Sequence, residues 1–333
     1  MQESAPGSPP GPDDYTRLAS LAAGKIGLLS FFEACHRLIE KRTGARSMFV
    51  ALVENEDFLS FPFVAEEETI SAELMLYPRR GLTAAIIASG RKRWLTEEPD
   101  LQDKYTYTGA RAADWLGVPL VDREGGIFGA VVVQSYDESF RFKPEDAAFI
   151  EYAAIQIAIA MQFHTIDREM AVRRISALVE DTTDLEHLYP GIHSIVSGLI
   201  PSAAHSFIIL RIDRDAGVFV PAYCVDEREK FGKGSWPLDQ GLSGFVAAGE
   251  GRSFVFEDGV TPEPEGCSVL GERPAFWLGV PIRLENSMLG IAITETYDPR
   301  RPITRDDERS LEAICPHIAQ AIARTLLLRG ARR

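Results

Sequence analysis

The sequence predicts an α+β chain of two like-built halves, joined by a long helix. Each half is a central antiparallel β-sheet of about five or six strands with helices mainly on one face. Three observations carry this. WLGVPLVDREGGIFGAVVVQSYD at 115–137 returns as WLGVPIRLENSMLGIAITETYD at 277–298. A repeat at domain spacing is the mark of one fold written twice, whereas a catalytic centre is usually written once. The 333 residues set a prior of about two domains, each long enough to bury its own core. The patterns run in the same order in both halves: helix, strand, strand, short helix, strand, strand, strand, helix. That order fits helices layered on an antiparallel sheet.

Residues 1–14, MQESAPGSPPGPDD, are rich in Pro, Gly and Ser and read as a disordered leader. The first domain is then 15–163. MFVALVENEDFLSFPF (48–63) is a strand, an acidic turn and a strand. In RRGLTAAIIASGRKRWLTEE (79–98), Gly-Leu-Thr opens a short helix, which the Thr83 hydroxyl is placed to cap, and a strand follows. The apolar runs 114–121 and 127–135 flank the polar, Gly-rich DREGG, as in a hairpin. Pro144, Glu145 and Asp146 mark a helix start, where acidic residues meet the positive end of the dipole. The helix at 147–163 is expected to continue through a helical linker, 164–183, towards Asp181, with a break at DTTD.

The second domain, 184–328, repeats the plan. Its first helix contains Pro190, which places the helix start near Tyr189. SFIILRIDRDAGVFVPAY (206–223) matches the first strand pair, and DQGLSGFVAAGEGRSFVFED (239–258) the short helix and strand, with Ser243 as the cap. The hairpin spans 276–283 and 288–296. Thr304, Asp306 and Asp307 start the last helix, and 329–333 is a basic tail. Gly129 and Gly290, each inside a strand, are expected to permit close backbone approach.

Composition narrows the function. The net charge is −14, from 35 basic and 49 acidic residues, which argues against a long phosphate-binding surface and hence against nucleic acid. No apolar run has the length of a membrane span, and the start lacks a signal peptide's basic end and apolar centre, so the cytoplasm is the expected location. Cys35, Cys224, Cys267 and Cys315 form no CxxC and read as free thiols. None of the six histidines lies in HExxH, so no transition-metal site is expected. There is no Walker motif and no GxSxG, and the acidic pairs read as solvated turns and helix starts.

The repeated hairpin, the acidic helix start with its apolar helix (RFKPEDAAFIEYAAIQIAIAM and ITRDDERSLEAICPHIAQAI), the Gly-Leu-Thr/Ser helix and LYPGIHSIVSGLIPSAAHSFIILRID together resemble GAF domains, the family found in bacterial signalling and sensor proteins. The resemblance covers nearly all of the chain beyond the leader. It implies a non-catalytic sensory module that binds a small molecule in one or both pockets and relays it through dimeric helices to an output domain or partner. The alternatives are the sensor fragment of a longer histidine kinase or diguanylate cyclase, a catalytic GAF domain, or a structural dimerisation module without ligand.

In that family the ligand lies on the sheet face away from the long helices. The resemblance therefore implies pocket walls from Phe61, Phe63, Trp94, Tyr105, Tyr107, Trp115 and Gln134 in the first domain. In the second it implies Tyr223, Phe254, Phe256, Cys267, Trp277 and Thr294. The ligand itself is unknown. Cyclic nucleotide is disfavoured because neither Asn55 nor Asn286 is followed by the Lys of the family's nucleotide signature. Bilin is disfavoured because Ser268 follows Cys267, and haem because the histidines fall on predicted helices or just before a strand. The helix at 147–163 is apolar on most sides and so must be buried on most sides. A homodimer is expected through Phe149, Ile150, Ile157 and Met161, together with the helix at 308–328.

Overall fold

The computed structural model describes residues 9–24, 26–66, 69–105, 110–181, 184–228, 234–249, 252–263 and 268–330. The chain divides into two units between Thr165 and Ile166. The first contains α1 (Pro12–Ala22), α2 (Leu28–Thr43), β1 (Ser47–Val53), β2 (Phe58–Glu66), β3 (Thr69–Pro78), α3 (Gly81–Ser89), β4 (Arg93–Trp94), α4 (Leu101–Lys104), β5 (Asp114–Val121) and β6 (Ile127–Ser135). The long helix α5 (Pro144–Asp181) ends this unit and opens the next. The second unit continues with α6 (Leu185–Val196), a 3₁₀ turn (Pro201–Ala204), β7 (Phe207–Asp213), β8 (Val218–Val225) and β9 (Trp236–Pro237). Then come α7 (Gly241–Ala248), β10 (Phe254–Glu257), β11 (Phe276–Leu284), β12 (Ser287–Thr296) and α8 (Arg305–Gly330).

Both sheets have six strands, with orders β3-β2-β1-β6-β5-β4 and β9-β8-β7-β12-β11-β10. These are the same order offset by six strands, so the sequence repeat is a repeat of topology. Every pairing is antiparallel. The predicted hairpins are β5–β6 and β11–β12, in the middle of their sheets.

Each sheet buries both faces. In the first unit, Val131 and Val133 of β6 pack with Phe31 and Phe32 of α2 and with Phe149, Ile150 and Ile157 of α5. The alternate residues Ala130 and Val132 pack with Leu82, Ile86 and Ile87 of α3. This is the period-two alternation of a strand sorted onto two cores. The second unit does the same with α6 and α8 on one face and α7 on the other.

The glycines at the strand centres are needed there. A Cβ on Gly129 would lie 2.3 Å from the Ala51 carbonyl oxygen, and one on Gly290 would lie 2.0 Å from that of Leu210. Both helix starts after the hairpins are also repeated. Asp146 accepts from the Lys143 backbone N–H at 2.9 Å, and Asp307 from that of Thr304 at 2.7 Å, each satisfying an otherwise orphan donor.

Four local expectations need correction. Pro12–Asp14 of the expected leader form the first turn of α1: Pro12 takes the first helical position and Asp14 accepts from Gly11 N at 2.8 Å. Asp14 also pairs with Arg42 at 2.8 Å. Composition alone hid a standard helix start. The helix holding Pro190 begins earlier, at Leu185, because the Asp184 side chain caps it through Glu186 N. Thr83 and Ser243 do not cap α3 and α7; Arg80 and Gln240 occupy those positions without a side-chain bond. Finally, β3 and β9 complete the sheets ahead of α3 and α7.

Candidate ligand site

Beneath α7, on the sheet face away from α8, the second unit holds a cavity of about 180 Å³. Its floor is the sheet: Ile208 and Leu210 from β7, Trp277 from β11, Ile293 and Glu295 from β12. Gly241, Leu242 and Ser243 of α7 form the roof. Trp236 and the segment from Val269 to Pro274 close the sides. Alternation puts every floor residue on one face. On β12, Ile291, Ile293 and Glu295 face α7, while Ala292 packs against α8.

The Trp-Leu-Gly triplet builds the floor. The Trp277 ring folds across the residue two places on, where a Cβ at Gly279 would meet Cη2 at 2.1 Å. Only a glycine lets the indole lie flat there. Phe254 packs beside the ring with centroids 6.4 Å apart.

Two carboxylates reach the lining, Glu272 and Glu295, and Glu295 is 6 % exposed. Its Oε1 accepts from the Tyr297 hydroxyl at 3.0 Å. At the rim, Arg228 lies 4.6 Å over the Tyr297 ring and pairs with Glu272.

Of the residues expected to form this pocket, Trp277 lines the cavity. Phe254 and Phe256 pack on the same face beside it. Tyr223 and Thr294 lie on the opposite face. Tyr223 packs with the α6–α8 core, and its hydroxyl sits 2.8 Å from His193 Nδ1. His193 Nε2 donates to the Ala203 carbonyl at 2.7 Å. Thr294 donates to the Ser206 carbonyl and accepts from Ser202, both at 2.9 Å. Cys267 lies outside the described residues.

In the first unit, Phe61, Tyr105 and Trp115 do come together on the α3 face. Gln134 donates to the Tyr136 hydroxyl at 2.8 Å, and Tyr136 packs against that same cluster. Phe61 makes edge contacts with Phe49 and Tyr77, at 5.6 and 5.1 Å. Phe63 and Trp94 pack on the other face, against α2 and α5. The cause in β2 is a pair of register shifts between Leu59 and Val64, which turn Phe63 away from Phe61. Tyr107 lies outside the described residues.

Two buried features were not anticipated. Glu295 was missed by one residue: it stands five places after Gly290, as Gln134 stands five after Gly129, and choosing Thr294 instead changes the face. Asp114, fully buried, holds β4, β5 and the approach to α5. Its Oδ2 accepts from Trp94 Nε1 (3.3 Å), Thr96 Oγ1 (2.9 Å) and Phe142 N (2.8 Å), and its Oδ1 from Trp115 N (2.9 Å).

Cys35 and Cys315 are buried, and burial pushes both thiols well above the usual range, which suits packing rather than nucleophilic chemistry. Among the described residues no group of His, Cys, Asp and Glu could hold a metal ion, and no helix is long and apolar enough to cross a membrane.

Residues 28–162 match a family profile described as GAF domain, and residues 167–322 match a second profile of the same description. The chain is a tandem GAF-domain protein. Among solved structures, the GAF domain of a phosphoenolpyruvate-protein phosphotransferase from Coxiella burnetii is 18 % identical, with a TM-score of 0.41. That alignment covers 50 % of this chain and 98 % of the other. A putative GAF sensor protein from Burkholderia vietnamiensis is 15 % identical over 49 % of this chain and 98 % of its own, with a TM-score of 0.40. Free methionine-R-sulfoxide reductase from Neisseria meningitidis, in complex with its substrate, is 16 % identical over 48 % and 96 %, with a TM-score of 0.36. Each of these aligns with about half of the tandem GAF chain. Curated proteins yield no match. GAF domains are in general sensory and regulatory ligand-binding modules.

Proposed function

We propose that this tandem GAF protein is a non-catalytic cytoplasmic sensor whose second domain binds a small organic molecule and whose helices carry the response to a partner or output domain. The observation that carries the reading is the cavity of about 180 Å³ roofed by α7 and floored by Trp277. It is concave, mostly apolar and furnished with few polar groups, as small-molecule sites are. Burial of Cys35 and Cys315 supports the non-catalytic part.

The partner is a second copy, but not through the residues first expected. Phe149, Ile150 and Ile157 are fully buried in their own domain, and Met161 packs against that core. The apolar residues that α5 leaves at the surface are on another side. Ile155 is 55 % and Phe163 43 % exposed, and with Ile159, Ala158 and Val121 they line a groove. In sequence the pattern continues at Ile166 and Met170, also exposed. Spacings of three and four residues suit a helix-to-helix seam. A ligand relays a signal through such helices only if it binds two helix arrangements with different affinity.

Native mass spectrometry of the full chain, purified without added ligand, tests both parts. The expected spectrum is a dimer mass, converted to monomer by Ile155→Glu with Phe163→Glu, with a reproducible small-molecule adduct. A monomer at micromolar concentration would contradict the relay.

A further inference from the structure

Ser243 carries a hydroxyl that its own domain does not use. It does not cap α7. A serine within a helix commonly returns its hydroxyl to a carbonyl one turn back, as Ser89 does to Ala85 at 2.7 Å and Ser176 to Val172 at 3.0 Å. Ser243 makes no such bond. Among the described residues its hydroxyl has no hydrogen-bond partner, although the residue is only 8 % exposed. What it faces is the cavity, which it lines. A buried hydroxyl without a partner is costly, so a group in the cavity that accepts from it gains that bond.

The first turn of α7 brings more donors to the same end. Gly244 N bonds to the Gln240 carbonyl at 3.0 Å, so the N–H groups of Gly241, Leu242 and Ser243 have no partner within the helix. All three residues line the cavity. Gly241 has no side chain and therefore lines it through its backbone. A helix start is also the positive end of the dipole, which disfavours a cation and favours an oxygen. Among the described residues the lining contains no Lys, Arg or His. A full negative charge would thus be buried without a cation, which is costly. The acceptor that suits this end is uncharged. The volume sets the size: an apolar cavity of about 150 Å³ takes benzene, so about 180 Å³ takes a body of roughly six to ten non-hydrogen atoms.

We infer that the second GAF domain binds a compact uncharged carbonyl compound, a ketone or amide on an apolar body, whose oxygen accepts from the Ser243 hydroxyl at the start of α7. This rests on the reading of the cavity as a ligand site. The apolar body lies on Trp277 beneath Leu242.

NMR titration of the full chain with acetophenone, α-methylstyrene and benzoate tests this, with dissociation constants read from the methyl signals of Ile208 and Leu242 in the lining. Acetophenone and α-methylstyrene have nearly the same shape and differ in a carbonyl oxygen against a methylene. The hydrocarbon is driven harder out of water, so the decisive reading is how Ser243→Ala changes each probe. Acetophenone is expected to weaken about three- to tenfold, the worth of one neutral hydrogen bond. The constant for α-methylstyrene should stay within about twofold or tighten, because it never used the hydroxyl. Benzoate, of the same size but charged, should bind the unaltered chain more weakly than acetophenone. If Ser243→Ala moves both neutral probes alike, or moves neither, or if benzoate binds more tightly than acetophenone, the carbonyl inference is overturned and the pocket stands. If neither neutral probe binds, the pocket reading falls with it.

Discussion

Asp114→Ala is expected to destabilise the first GAF domain strongly and leave the second untouched. The side chain is fully buried and accepts four hydrogen bonds, from Trp94, Thr96, Trp115 and Phe142. Alanine removes every acceptor while the donors stay in place. At about 1–3 kcal/mol for each buried donor left unpaired, and with the exposed Thr96 able to turn to water, the loss is on the order of 3–5 kcal/mol. The matching position of the second domain is Phe276, which pairs with Thr296 as Asp114 pairs with Ser135. Differential scanning calorimetry should therefore show one transition moving down and the other staying. Thr96→Val, which deletes a single donor, should cost about 1 kcal/mol. A loss below about 1 kcal/mol for Asp114→Ala would mean that the four bonds are not jointly holding β4 and the approach to α5.

Gly290→Ala is expected to have a comparable effect in the other domain. The new methyl would lie 2.0 Å from the Leu210 carbonyl oxygen and 3.3 Å from Arg211 Cα. Both obstacles are backbone, so no rotamer relieves the clash. The β7–β12 pairing at the centre of the sheet must open instead. Overpacking a core typically costs about 1–3 kcal/mol, and a backbone clash in a central pair belongs at or above the top of that range. Gly234→Ala is the control: a Cβ there meets nothing within 4 Å, so its effect should stay within about 0.5 kcal/mol. Urea denaturation of the two variants compares them directly. Equal stability would contradict the close approach on which the repeated glycine rests.

The repeat made much of this fold legible. Hairpins appear as apolar runs around polar turns, and the Trp-Leu-Gly and Asp-rich helix starts recur at matching places because each copy needs them for the same contacts. The face on which a side chain lands was harder to read. β2 is aromatic at both Phe61 and Phe63, so alternation assigns them together. The register shifts that separate them leave no mark in residue type. Thr294 and Glu295 illustrate the same sensitivity: a slip of one residue exchanges the core of α8 for the cavity under α7. On α5, apolar side chains cover most of the helix, so periodicity could not say which stripe meets its own sheet. The structure assigns Phe149, Ile150 and Ile157 inward and leaves Ile155 and Phe163 outside. Asp114 had no sequence signal of its own. An aspartate before a strand is ordinarily a turn residue, and only the fold brings Trp94, Thr96 and Phe142 to it.

The cavity under α7 is the proposed ligand site on which the sensory role depends. The most direct test is a methyl-resolved NMR titration of the full chain with benzyl alcohol, a neutral probe that depends on the cavity alone. The methyl signals of Ile208, Leu210, Leu242 and Ile293, all in the lining, should shift together along one saturable curve. Ala292 and Ile314, on the opposite core, should stay still. Lining methyls that remain unmoved while the probe saturates elsewhere, or at no concentration at all, would contradict the account.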